Sequence, residues 1–141
     1  MFTTGERWFA VPSPRAAEVV TLPQLTRIPG APLHMLGLFA HRGEVVPVVN
    51  FAALLGWVIR PSGRAILLRA LDGTVAVTVE NVVGVFALTG TPQPLAATGF
   101  ESRLSGPADA NGQEVSVLDV DGLFEFLSLR PPAQALRSSG G

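Results

Sequence analysis

The chain has 141 residues, of which 48% are hydrophobic and 15% are charged, and its formal net charge is −1 at pH 7. A chain of this length can bury enough surface to fold without cross-links or metal ions. The near-zero charge excludes attraction to nucleic acid or anionic membranes through net charge, and the absence of cysteine excludes disulfides, thiol catalysis and cysteine-ligated metals.

Short strands separated by turn residues are predicted along the first half of the chain. They cover residues 8–11, 16–22, 35–39 and 45–49. Three prolines within residues 23–32 favour an extended connection between the second and third strands. The loop at residues 40–44 contains a glycine and predicts a hairpin. Asn50 is a suitable N-cap for a short helix over residues 51–55.

The second half follows the same pattern. Strands are predicted at residues 65–70, 74–79, 82–88, 100–104 and 114–118. Asp72-Gly73 and Asn111-Gly112 are typical hairpin turns, and Asp119 or Asp121 caps a helix that ends near Phe126. Residues 131–141 have the composition of a disordered tail. Many short strands without long helices predict an all-β barrel or sandwich.

An internal repeat runs through this pattern. Residues 74–88 align with residues 8–22 without a gap, and residues 112–120 align with residues 43–51 in the same way. A helix-like stretch follows each copy of the second pair. Repeats of this kind indicate two copies of one structural unit, which predicts a double barrel or sandwich.

Residues 18–56 resemble the CheW family, the coupling proteins of bacterial chemosensory arrays. The family's pattern has a proline-rich connection, then G-x-x-x-x-R-G, then P-[VI]-[VI]-[DN]-L before a short helix. Here these elements are Pro29 and Pro32, Gly37 with Arg42-Gly43, and residues 47–51. Residues 75–85 and 114–124 are similar to later parts of the pattern, so the resemblance covers residues 8–127.

The resemblance implies a fold and a role. The implied fold is all-β, with two SH3-like five-stranded β-barrels packed side by side and one or two short helices. We expect residues 1–130 to form one such domain, made of two intertwined barrels, and residues 131–141 to be disordered. The implied role is that of a non-catalytic adaptor without cofactors. Its partners would be the regulatory domain of the histidine kinase CheA and the cytoplasmic tip of a chemoreceptor.

Four residues match the family's receptor-binding positions. Arg42 lies at a predicted hairpin tip, where its guanidinium can reach a partner's carboxylate; a solvated turn arginine is the alternative. Gly37 is either a place where a partner helix approaches bare backbone or a bulge glycine. Ala16 stands where the family usually has Val, which makes the implied contact smaller. Glu18 either pairs with an arginine or is a plain surface residue.

Val20, Leu22 and Leu25 are the candidate kinase-binding residues. They lie on a predicted strand edge that runs into the proline-rich connection. Exposed apolar side chains there would suit a contact between barrels of two proteins. Burial in the protein's own core is the alternative, and the sequence leaves both open.

Two further positions depart from the usual pattern. Asn50 replaces the commoner Asp, which an N-cap tolerates. His41 precedes Arg42, where Leu is common, and is expected to be an exposed loop histidine. His34 is the one other imidazole, so no metal site is predicted.

No catalytic residues are predicted, because the carboxylates are scattered and no acid–base pair is evident. No phosphate-binding loop is present either. Since no signal peptide or membrane-spanning stretch is recognised, we expect a soluble cytoplasmic protein that is recruited to membrane-associated arrays without inserting into the membrane. Two alternatives stay open: a small-molecule-binding double barrel, and an adaptor of a pilus-driven rather than flagellar system.

Overall fold

Strands make up most of the regular structure in residues 1–71 and 73–127, which are the residues that the computed structural model describes. The strands of this part are β1 (Phe2–Thr4), β2 (Arg7–Ala10), β3 (Ala16–Thr21), β4 (Met35–His41), β5 (Glu44–Val49), β6 (Arg64–Ala70), β7 (Gly73–Thr78), β8 (Asn81–Val82), β9 (Leu88–Thr89), β10 (Gln93–Pro94), β11 (Leu104–Ala110) and β12 (Gln113–Leu118). The α-helices are α1 (Phe51–Leu54) and α2 (Val120–Leu127), and 3-10 helices span Ser13–Arg15 and Phe100–Arg103. Asp72 and the predicted disordered tail lie outside the described residues.

The strands form two sheets. A five-stranded sheet has the order β3-β6-β7-β5-β4, and a seven-stranded sheet has the order β10-β11-β12-β2-β1-β8 with β9 also beside β11. Three strands of the second sheet, β8, β9 and β10, are only two residues long. The predicted all-β class is confirmed, and the two sheets match the expected pair of packed SH3-like barrels.

The sequence repeat reappears as a repeat of strand pairing. In the five-stranded sheet Val48 of β5 lies beside Ala76 of β7 in parallel register. Their counterparts in the repeat, Val117 of β12 and Ala10 of β2, form the equivalent parallel pair in the other sheet. The halves also exchange strands, because β3 follows β2 in the chain but pairs with β6, whereas β8 follows β7 but pairs with β1. Each sheet is thus completed by a strand from the other half.

The β6–β7 hairpin is buried on both of its faces. Ala65 and Leu67 point into the interior of the five-stranded sheet, whereas Ile66 and Leu68 belong to a core shared with the other sheet. In β7, Ala76 packs in the interior of the five-stranded sheet, and its neighbours Val75 and Val77 pack in the shared core. Strands with two buried faces need apolar residues at every position, which explains why these segments read as nearly unbroken apolar runs.

Phenylalanines form the centre of the shared core. The Phe51 ring lies edge-on to the rings of Phe2, Phe9 and Phe100, with centroids 5.3, 4.9 and 5.6 Å away. Phe2 and Phe9 stack on each other at 5.4 Å, and Phe2, Phe9 and Phe51 have no exposed surface. Edge-to-face pairs of this kind add to the gain from apolar burial. The first residue of α1 therefore holds the two sheets together.

The helices begin at the predicted caps. The Ala53 amide donates to the Asn50 side chain at 3.4 Å, so Asn50 caps α1. The Gly122 amide donates to Asp119 at 3.0 Å, which makes Asp119 the cap of α2. The other candidate, Asp121, instead pairs with Arg15 at 2.7 Å. Both caps satisfy amide groups that the first helical turn leaves without partners.

Two predicted strands are wrong. Residues 100–104 form the 3-10 helix Phe100–Arg103, because the Phe100 side chain turns into the shared core. Residues 82–88 are strand only at their ends, in β8 and β9. Between them Gly84 has a φ of 149°, and the side chains of Val85 and Phe86 are exposed. An apolar pattern alone did not distinguish this connection from a strand.

We expect the Phe51→Ala substitution to lower the free energy of unfolding by about 3–5 kcal/mol, because it leaves a cavity between the two sheets. Urea unfolding followed by Trp fluorescence would measure the change. Leu71→Ala is the control, since that side chain is fully exposed and its loss should change stability by less than about 0.5 kcal/mol. Similar losses for both variants would show that the phenylalanine cluster does not hold the sheets together.

Candidate functional site

Glu18 joins the two edge strands of the five-stranded sheet. One of its oxygens, Oε1, lies 2.9 Å from His41 Nε2 and 3.1 Å from Arg42 Nη1. Glu18 belongs to β3 and His41 ends β4, and these strands occupy opposite edges of the sheet. The contact therefore closes the sheet into a barrel through side chains. It also shows that Glu18 pairs with an arginine, and that the expected exposed loop position of His41 is wrong, since the His41 side chain is only 22% exposed.

Arg42 occupies the tip of the β4–β5 hairpin, as predicted. Arg42 and Gly43 form a two-residue loop, and both have positive φ, 51° and 79°. Such loops match the twist of the flanking strands. A positive φ is sterically unfavourable for arginine, so this conformation introduces some strain at Arg42. The Arg42 side chain is 72% exposed. Because a guanidinium has five N–H donors, Arg42 can bond to Glu18 and still offer donors to a carboxylate on a partner.

The charges around Glu18 stabilise its ionised form. The hydrogen bond from His41 lowers the pKa of Glu18 below its ordinary value of 4.5, and the positive charges of Arg42 and Arg69 add to this against an opposing effect of burial. An ionised carboxylate can only accept hydrogen bonds, so His41 Nε2 is the donor in its hydrogen bond with Glu18. Arg69 also lies 3.9 Å from Glu44, at the other side of the hairpin tip. The tip is thus a small network of alternating charges.

An apolar cleft of about 440 Å³ lies beside this network. One wall is formed by Ala16 to Val19 of β3, and the other by β1, β8 and the connection that contains Val85 and Phe86. Ala16 is exposed, and β3 has an irregular register between Ala16 and Glu18. The strand exchange brings these walls together, because β3 belongs to one sheet and β8 to the other. Sequence reasoning placed Ala16 and Glu18 at this site but missed the opposite wall, which it had predicted to be a strand.

Gly37 lies beneath the proline-rich connection. It is buried, its φ is 151°, and a Cβ atom there would lie 2.7 Å from the Thr26 carbonyl oxygen and 2.9 Å from Leu25 Cβ. Thr26 and Leu38 exchange backbone hydrogen bonds of 2.8 and 2.9 Å at this point. The chain's own backbone therefore accounts for the glycine, at an irregularity in β4. A receptor contact at Gly37 stays a prediction.

The three candidate kinase-binding residues are half-buried. Val20, Leu22 and Leu25 pack against the interior of the five-stranded sheet, in the cluster that contains Phe39 and Leu67. Leu22 and Leu25 also line a second, shallower groove on the outside of the barrel. Leu22 and Leu25 can therefore pack against the barrel interior and contact a partner at the same time. Val20 is not among the residues that line the groove.

The described part of the chain contains neither a metal-type cluster nor a membrane-spanning helix. No group of three or more histidine, aspartate or glutamate side chains within residues 1–71 and 73–127 is placed to hold a metal ion. No helix in the same residues is both long and apolar enough to cross a membrane.

Comparison with known proteins gives a consistent result. The CheW-like domain family matches residues 1–127. The chain is 27% identical to the chemotaxis protein CheW of Rhizobium meliloti over 130 residues, covering 87% of this chain and 84% of that protein. It is 28% identical to the protein FrzA of Myxococcus xanthus over 122 residues, covering 82% and 76% of the two chains. The crystal structure of the scaffolding protein TtCheW from Thermoanaerobacter tengcongensis has the same fold, with a TM-score of 0.71, 21% identity and coverage of 83% and 80%.

Gly37→Ala should destabilise the protein more than Gly30→Ala. Both glycines have positive φ, but a Cβ atom at Gly30 would meet nothing within 4 Å. The free energy of unfolding of the Gly30 variant should therefore fall by only roughly 1 kcal/mol, the cost of a left-handed backbone conformation for alanine. That of the Gly37 variant should fall by at least about 1 kcal/mol more, because the new Cβ atom clashes with Thr26. Urea unfolding would measure both. Equal losses would mean that the connection moves aside freely and that Gly37 is not needed for packing.

The contribution of Glu18 to stability should depend on pH. Since the pKa of Glu18 is lowered in the folded protein, its stabilising effect is complete above the ordinary value of 4.5 and is lost as the pH falls through the lower, folded-state pKa. The difference in unfolding free energy between the wild type and Glu18→Gln should therefore be largest near pH 6–7 and shrink below about pH 4.5. Glu114→Gln, at an exposed position of β12, is the control. A difference that stays constant down to pH 3 would contradict the role of the network.

Proposed function

The chain belongs to the family of CheW-like domains, and on this premise we propose that it couples the cytoplasmic tip of a chemoreceptor to the regulatory domain of a CheA-type histidine kinase. Membership of a family of scaffolds and adaptors supports a role in chemosensory signalling. We propose further that the protein does no chemistry of its own and that it acts in the cytoplasm, where receptor arrays recruit it.

The receptor tip would bind at the cleft beside Arg42. The observation that carries this proposal is the Glu18 carboxylate oxygen that His41 and Arg42 share, since it holds an exposed guanidinium 3.1 Å from Glu18, one of the residues that line the apolar cleft. A helical hairpin has an apolar stripe that can enter such a cleft. A carboxylate on that hairpin could then accept charge-assisted hydrogen bonds from the remaining N–H donors of Arg42. Ala16 and Glu18 would contribute the near wall of the cleft.

The kinase regulatory domain would bind on a separate face. Leu22 and Leu25 line the outer groove of the five-stranded sheet, and Val20 supports them from the barrel interior. The two faces are on one rigid framework, because the strands between them are buried on both sides. An adaptor built in this way would transmit receptor state as a difference in affinity or orientation between its partners.

A small-molecule function remains a second candidate because of the size of the cleft. About 440 Å³ is within the range of pockets that hold small ligands. A metabolite that binds there should raise the melting temperature, whereas an adaptor should respond to its protein partners alone.

Arg42→Glu should weaken binding to a soluble receptor-tip fragment at least about tenfold, because it puts a like charge opposite the partner's carboxylate and removes the bond to Glu18. Its affinity for the kinase regulatory domain should change less than about twofold. Isothermal titration calorimetry with each partner would measure both affinities.

Asn111→Glu is the matched control for this experiment. Asn111 occupies the equivalent hairpin tip in the repeat and has the same φ of 51°, so the substitution places the same side chain on the other sheet. It should leave receptor binding unchanged. Equal weakening of both partners by Arg42→Glu, with an unchanged unfolding midpoint, would refute separate faces.

A further inference from the structure

The outer groove of the five-stranded sheet has an apolar floor. Its volume is about 410 Å³, and Leu22, Leu25, Leu36, Pro23 and Pro61 are among the residues that line it. Leu22, Leu25 and Leu36 pack against the barrel interior from one side, so their inner surfaces are fixed. Their outer surfaces face the groove. The groove is therefore a depression with both apolar and polar lining, whose leucines are held in place from the barrel interior.

One arginine lines the groove, and two others are next in sequence to residues that line it. Arg27 lines the groove itself. Arg60 immediately precedes Pro61, and Arg64 immediately follows Gly63, and both Pro61 and Gly63 line the groove as well. All three arginines are exposed. No carboxylate is among the lining residues.

These three arginines differ from every other arginine in the described part of the chain. Arg7, Arg15, Arg42, Arg69 and Arg103 each have a carboxylate oxygen within 4.0 Å. Within residues 1–71 and 73–127, Arg27, Arg60 and Arg64 are the three that form no such pair. Arg27 lines the groove, and Arg60 and Arg64 stand next in the chain to the lining residues Pro61 and Gly63. In the part of the chain that the structure describes, the arginines without a carboxylate partner thus lie in this groove or next in sequence to residues that line it.

We infer that the groove binds an acidic protein surface, in which carboxylates surround an exposed apolar side chain. The apolar side chain would rest on Leu22, Leu25 and Leu36, and the carboxylates would pair with Arg27, Arg60 and Arg64. Arginine suits this position because its planar fork bonds a carboxylate with two donors and it tolerates partial burial at an interface. The inference rests on the proposed function, in that the kinase regulatory domain is the protein that carries this acidic surface.

A protein fits the groove better than a lipid or nucleic-acid surface does. Binding to a phosphate backbone relies on many cations with little apolar contact, whereas this groove is lined by three leucines and one arginine, with two more arginines adjacent in sequence to lining residues. The rim charges should mainly speed association and fix the orientation of the partner. Binding should then weaken as salt screens them.

The test is the triple variant Arg27→Gln, Arg60→Gln, Arg64→Gln in the full-length chain. Calorimetric titration with the kinase regulatory domain at 50 and 300 mM NaCl would compare it with the wild type. We expect the affinity of the wild type to fall with salt. The triple variant should bind roughly tenfold more weakly at low salt, with little salt dependence left.

A charge-matched control separates the groove from overall charge. Gln93→Glu, Asn111→Asp and Gln113→Glu together change the net charge by the same amount, but they lie on the seven-stranded sheet. This control should keep wild-type affinity at high salt and most of it at low salt. Unfolding midpoints equal to that of the wild type would show that all variants are folded.

Three results would overturn the inference. If the triple variant binds like the wild type, the arginines do not contact the kinase domain, and the proposed function stands without them. If the wild type itself does not bind the kinase domain, the proposed function and this inference both fail. If the triple variant loses binding to phosphatidylserine vesicles and keeps its affinity for the kinase domain, the groove binds anionic lipid instead.

Discussion

The burial of the β6–β7 hairpin on both faces is the constraint on which the rest of the structure depends. One face fills the five-stranded barrel, and the other meets the phenylalanine core that is shared with the seven-stranded sheet. Neither barrel can be removed without exposing a face of this hairpin, which would cost roughly 25 cal/mol for each Å² of apolar surface. We therefore expect the two halves to unfold as one cooperative unit, in spite of the internal repeat.

The same packing creates both candidate sites. Because β6 pairs with β7 on one side only, its other edge accepts β3, and this exchange sets β3 opposite β8 across the cleft. Glu18 on β3 then reaches His41 and Arg42 at the far edge of the sheet. The groove forms beyond the other end of β3, where the Leu22 amide donates a hydrogen bond to the Gly63 carbonyl at 2.7 Å. A single edge strand thus contributes to both faces.

Features that depend on local sequence could be predicted, whereas features that depend on tertiary contacts could not. The hairpin at Arg42-Gly43, the cap at Asn50 and the alignment of residues 43–51 with 112–120 all involve neighbours in sequence or a fixed local geometry, so they could be predicted. The burial of Leu22 and Leu25 could not, because an alternating strand does not show which of two barrels covers it. The bond between Glu18 and His41 depends on barrel closure, which no local pattern encodes. The pairing of arginines with carboxylates is likewise a tertiary property, and so the unpaired set around the groove became visible only in the structure.

Rigidity decides how such a molecule can pass a signal. The cleft and the groove are at successive parts of one chain segment, since Ala16 to Val19 line the first and Leu22 to Leu25 line the second. Along this segment β3 is anchored by β6, which is held from both faces and resists deformation because cores are packed to near-crystalline density. A large internal rearrangement would break the phenylalanine core, at a cost comparable to the whole stability of a domain. On the proposed function, the favourable route would therefore be a change in how the two partners are oriented on a fixed scaffold, and the charged residues at the two proposed sites would set those orientations.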